Sequence, residues 1–74
     1  DDSWSYCTRG NAHLYNGESN LALNDFNKAI ELDENESFFY HCRGDVVLQY
    51  GSARKALIDL DIAVKLDSDN KMFL

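Results

Sequence analysis

Thirty-four residues separate Tyr6 from Tyr40, Arg9 from Arg43, Gly10 from Gly44, Leu14 from Leu48 and Gly17 from Gly51. The same offset links Ala22 to Ala56, Leu23 to Leu57, Asp25 to Asp59, Ala29 to Ala63, Leu32 to Leu66 and Asp33 to Asp67, with no gap. Of the 40 pairs at this spacing 13 are identical, where composition alone would give roughly two or three, so the chain is an internal repeat. This self-similarity constrains the fold more than any other feature. Whatever one unit forms, the second must form too, and the two must share an interface.

Within each unit the apolar spacing is helical. From Trp4 to about Asn16 it steps by three and four, and Gly17 permits the left-handed conformation that ends a helix. Asp2 or Ser3 can cap the start. A second helix is expected from Ser19 or Asn20 to about Leu32, with Leu21, Ala22, Phe26, Ala29 and Ile30 as its apolar stripe. The polar stretch Asp33 to Ser37 suits a turn and a new cap. The pattern then recurs: a helix from about Phe38 to Tyr50, a stop at Gly51, a helix from about Ala53 to Leu66, and a turn over Asp67–Asn70. Four helices joined by short connections imply antiparallel neighbours. The expected units are residues 3–36 and 37–70, with 71–74 opening a third.

Gly10 and Gly44 fall inside helices, where glycine costs about 1 kcal/mol relative to alanine. A repeated cost at one place implies a steric cause, a helix passing too close for a side chain. Ala22, Ala29, Ala56 and Ala63 are the small residues available to meet it.

These residues resemble the tetratricopeptide repeat, whose pattern is W-x2-L-G-x2-Y, A-x3-F and P over 34 residues. The first unit reads Tyr6-x2-Arg9-Gly10-x2-His13, Ala22-x3-Phe26 and Glu34; the second reads Tyr40-x2-Arg43-Gly44-x2-Val47, Ala56-x3-Leu60 and Ser68. Arginine replaces leucine in both, and the closing proline is missing from both. The resemblance implies an all-α fold of tandem antiparallel helix pairs stacked as an α-solenoid segment. It also implies a non-enzymatic scaffold that binds a protein or peptide in a concave groove lined by the first helix of each unit. By that resemblance the groove residues are Trp4, Cys7, Asn11, Leu14 and Tyr15, then Phe38, His41, Asp45, Leu48 and Gln49, with Met72 extending the row. Some members of the family grip acidic chaperone tails through lysine, asparagine and arginine. Of that set only Asn11 is present here, so a carboxylate clamp is rejected and the expected partner is apolar to neutral rather than acidic.

Composition narrows the remaining choices. Net charge is −6, with 13 acidic against 7 basic residues, which disfavours nucleic acid and anionic membranes. A helical-repeat RNA binder would need basic groove residues, and none of the lining positions is Lys or Arg. No apolar run approaches the ~18 residues of a membrane span, and no signal peptide opens the chain. Two cysteines, Cys7 and Cys42, do not form a disulfide framework of the secreted kind, so an intracellular, cytoplasmic setting with reduced thiols is expected. Cys7, His13, His41 and Cys42 match no metal-ligand spacing, and a Cys7–His41 nucleophile lacks both an orienting third group and an oxyanion hole. No metal, cofactor or catalytic site is expected. Arg9 with Asp25, and Arg43 with Asp59, read either as bridges between helices or as ligand anchors. Trp4 and Phe38 read either as binding anchors or as packing between units.

One structural alternative to a groove remains. The last helix carries Ala56, Leu57, Leu60, Ala63, Val64 and Leu66. If these stay uncovered, the chain is expected to form a homodimer through its open C-terminal end.

Overall fold

A computed structural model describes residues 2–71, with side chains to Ser68. Four helices follow one another: α1 (Ser3–Tyr15), α2 (Ser19–Leu32), α3 (Ser37–Tyr50) and α4 (Ala53–Lys71). Among the described residues α1 packs on α2, α3 on α4, and α2 on α3, the order of a helical-repeat stack. The fold is all-α, as the period implies.

Local chemistry sets the ends. Asp2 caps α1, its Oδ1 accepting from the Ser5 amide at 2.8 Å. Gly17, at φ 78°, closes the helix: the Glu18 amide donates to the His13 carbonyl at 2.8 Å and Gly17 to Leu14 at 3.0 Å, the paired bonds of a Schellman turn. Gly51 ends α3 differently, at φ −141°, its amide donating to the Val47 carbonyl at 2.8 Å. Between the units, Asn35 donates its amide to Asp33 Oδ1 at 3.3 Å, and Glu36 Oε2 accepts from the Phe38 amide at 3.3 Å. The Tyr40 hydroxyl fastens this turn by donating to the Glu34 carbonyl at 2.9 Å.

The expected turn over Asp67–Asn70 is absent, because α4 runs on to Lys71. No proline interrupts the helix there. Residues 72–74, Met72 among them, lie outside the described residues.

The core contains Phe26, Phe39, Val46, Cys7, Ala22 and Ala29, all essentially sealed from solvent, with Ile30, Tyr40, Cys42 and Ala63 beside them. Leu21, expected on the buried stripe of α2, is exposed instead. The close approach at the glycines is present, but its partners are not the alanines. A Cβ on Gly10 would sit 2.8 Å from Phe26 Cε1 and 3.2 Å from Asp25 Cβ. One on Gly44 would sit 3.0 Å from Leu60 Cδ2 and 3.3 Å from Asp59 Cβ. The side chain that fixes the spacing is the large residue at the aligned Phe26/Leu60 position.

Candidate functional site

Each unit is bolted by one arginine. Arg9 donates from Nε to Asp25 Oδ2 at 2.9 Å and from Nη2 to Oδ1 at 2.7 Å. Arg43 repeats the fork on Asp59, at the same 2.9 and 2.7 Å. Each guanidinium also lies over a tyrosine ring, Arg9 over Tyr6 at 5.5 Å and Arg43 over Tyr40 at 5.6 Å. Both aspartates are about 5% exposed, and such parallel two-point contacts are the strong form of this ion pair. The fork holds the Asp25 carboxyl below its ordinary range and raises the Arg43 guanidinium. Arg43 also donates from Nη1 to Asn27 Oδ1 at 3.0 Å, tying the second unit to the first. The bridging role of the arginines is thus occupied by structure. That leaves α1 and α3 without an uncommitted Lys or Arg.

The residues expected to line the groove divide. Trp4 and Phe38 come together across the units, ring centroids 5.8 Å apart and stacked at 25°, while Trp4 also meets the edge of Phe39 at 4.7 Å. They remain 47% and 44% exposed, so they pack and present themselves at once. Tyr15, Leu48, His41, Asp45 and Gln49 are exposed, while Asn11 and Leu14 are half-buried. His41 Nδ1 lies 3.5 Å from Asp45 Oδ2 one turn along α3. Cys7, by contrast, is in the core at 1% exposure, with Asn11 Nδ2 donating to its Sγ at 4.0 Å. It lies against Cys42 under cover of α3 and does not share an open face with His41. Burial pushes the Cys7 thiol up, and the Cys42 thiol up to about 12, against nucleophilic or ligating use.

His13 is drawn to the other end of α1, with Nδ1 3.0 Å from Glu18 Oε1 and Nε2 3.7 Å from Asp25 Oδ2. The four Cys and His residues are therefore not gathered. Among the described residues no group of three or more His, Cys, Asp or Glu is placed to hold a metal ion. No helix of the described residues is long and apolar enough to cross a membrane.

Sequence reasoning passed over Phe39, which is fully buried and wedges α3 against the first unit. The signal was available in the aligned differences. Phe39, Cys42 and Val46 stand where the first unit has Ser5, Thr8 and Ala12. All three α3 residues are buried and all three α1 residues are exposed.

Two helix pairs, bolted identically and stacked through the face of the second, define a helical-repeat protein. Its first unit, residues 3–36, matches the family model of the tetratricopeptide repeat. The second unit is built to the same plan, and the match with the four-helix stack is consistent with a repeat segment of the tetratricopeptide type. Such repeats generally mediate protein–protein interaction and are not themselves enzymatic. No curated protein and no solved structure matches the chain.

Proposed function

We propose that the chain is a non-enzymatic interaction scaffold that holds a peptide or protein segment against the face formed by α1 and α3. The observation that carries this reading is the Trp4–Phe38 pair, stacked between the units yet almost half open. Each ring leaves about 100 Å² of mostly apolar surface to be covered. Removing that area from water contributes roughly 2–3 kcal/mol per ring before association costs. Leu48 and Tyr15 extend the apolar surface, and Asn11, Asp45 and Gln49 supply hydrogen-bonding groups between them. With Arg9 and Arg43 already paired to Asp25 and Asp59 and no lysine on α1 or α3, an acidic peptide gains little here, so the segment held is apolar to neutral.

Selection from a random peptide library against the chain, followed by titration of the selected peptides, tests the proposal, with the single tryptophan, Trp4, as fluorescent reporter. Peptides that bind should shift the Trp4 emission and the amide resonances of α1 and α3, and should hold at high salt. Phe38→Ala should weaken them by about 1–3 kcal/mol with helicity unchanged. Selected peptides that perturb only α2 and α4, or that bind only at low salt, would defeat the proposal.

A further inference from the structure

Where the two units meet, at the end of the stack that holds the α3–α4 turn, there is an open cavity of about 520 Å³. Its walls come from the start of α2, the end of α3 and the first turn of α4, and none of its lining residues belongs to the face proposed above. Leu23, Val46 and Val47 make it apolar, and the Tyr50 ring, 56% exposed, stands beside them. Lys55 is the only charged residue that lines it. The volume falls within the roughly 300–1,000 Å³ of small-molecule sites, which are mostly apolar with a few placed polar groups.

The aligned place in the first unit is built differently. There His13 Nδ1 lies 3.0 Å from Glu18 Oε1, and Asn16 Nδ2 donates to the same oxygen at 3.0 Å. Val47, Tyr50 and Ser52 occupy those three positions in the second unit. Ser52 turns to α4 instead, its Oγ accepting from the Lys55 amide at 3.4 Å. Two of the exchanges also move charge in one direction: Ser52 replaces the acid Glu18, and Lys55 replaces the apolar Leu21. The Lys and Arg ion pairs among the described residues engage Arg9, Lys28 and Arg43, and Lys55 is in none of them. In a chain of net charge −6, the cavity therefore has the opposite sign.

We infer that this cavity binds a small carboxylic acid with an aromatic or branched apolar body. The body lies against Leu23, Val46 and Val47 with the Tyr50 ring beside it, and the carboxylate pairs with the Lys55 ammonium. A phosphate or other multiply charged anion would meet one cation and an apolar remainder, too little to offset its desolvation. An uncharged hydrophobe leaves Lys55 without a counter-charge, and a cationic one opposes it. The acid touches α2 of the first unit and α3 and α4 of the second, so binding also holds the two units together.

The test titrates the isotopically labelled 74-residue chain with three probes that share one ring system: naphthoate, the neutral naphthamide and the cationic naphthylmethylammonium. The acid should shift the amide resonances of Leu23, Val47 and Lys55 with a Kd of about 1 mM or below, while the Trp4 side-chain resonance stays put. At low salt it should bind about threefold tighter than the amide, and the advantage should fade at high salt. Lys55→Gln should abolish that advantage and leave amide binding and helicity as they were. Ser19→Phe, which sets a ring in the cavity wall, should weaken all three probes. Acetylphenylalanine and acetyl-Gly-Gly-Phe present the same chemistry as a free acid and as a chain end, and the free acid should bind at least as tightly. No shift at about 5 mM naphthoate would overturn the inference, as would equal binding of acid and amide at low salt, or shifts confined to Trp4, Phe38 and Leu48. So would binding of the tripeptide about tenfold tighter than the free acid, which would give the cavity to the C-terminus of a partner protein.

Discussion

Gly10→Ala and Gly44→Ala place the same methyl group at aligned positions of the two units, yet the structure predicts different outcomes. Alanine in a helix interior is favoured over glycine by about 0.8–1.0 kcal/mol, so on open helices both substitutions would stabilise. At Gly10 the new Cβ meets Phe26 Cε1 at 2.8 Å and Cδ1 at 3.0 Å, against a ring with no exposed surface and nowhere to turn. Overpacking of that kind costs about 1–3 kcal/mol, so the net change should be a loss of about 1 kcal/mol. At Gly44 the nearest atoms are Leu60 Cδ2 at 3.0 Å and Cγ at 3.1 Å, with Asp59 Cβ at 3.3 Å, and Leu60 is only half-buried, so it can give by a few tenths of an ångström. That smaller strain roughly offsets the helical preference, and Gly44→Ala should be close to neutral. The gap of about 1 kcal/mol between the variants corresponds to a difference in Tm of roughly 4–8 °C for a domain of this size. Thermal melts followed by circular dichroism would resolve it easily. If Gly10→Ala melts at or above the parent, or if the two variants coincide, the close approach of Phe26 is not what keeps a glycine in α1.

Three further outcomes follow from the bolts and the core. Arg43→Leu removes a fork from Asp59, which is nearly sealed from solvent, and should cost about 3 kcal/mol by urea denaturation; Arg43→Leu with Asp59→Leu should recover most of it. Because Arg9 lowers the Asp25 pKa, the folded chain binds that proton less readily than the unfolded one. The resulting stability is complete above about pH 5 and is lost as pH falls below about 4, so Asp25→Asn should flatten the acid limb of stability against pH while lowering the neutral plateau. With the Cys42 thiol pushed up to about 12 and Cys7 buried beside it, both should resist a thiol reagent at pH 8, reacting at a rate that follows urea-induced opening; immediate labelling of the native chain would refute their placement.

Much of the unit was legible because its determinants are local. The start of α1 follows from a side chain three residues from the amide it caps, and its end from Gly17 in the left-handed region. The close approach was legible from two helical glycines, but not its partner: a missing Cβ reports that something is near without saying what, and Phe26 and Leu60 were there instead of the alanines. Asp67–Asn70 looks as polar as Asp33–Glu36, yet only the earlier stretch breaks the helix, and there the Tyr40 hydroxyl, six residues on, donates to the Glu34 carbonyl. Cys7 and His41 share a position in the period but not an environment, since α3 covers one and nothing described covers the other. Period alone cannot see this, because a face is buried or open according to its neighbour.

The aligned identities and the aligned differences therefore carry separate information. The identities concentrate on contacts inside a unit: the Arg9–Asp25 and Arg43–Asp59 forks, the glycines that meet those same aspartates, and the buried alanines of α2 and α4. These build one helix pair, and any copy of the unit needs them. The differences concentrate where units meet or stop. Ser5, Thr8 and Ala12 against Phe39, Cys42 and Val46 separate a helix face suited to water from one suited to a neighbouring unit. Cys7 against His41, and Asn11 against Asp45, separate a covered site from an open one. At those three positions α1 is polar or small, whereas the α4 strip keeps Leu57 and Val64 and α3 keeps Phe38 at its edge.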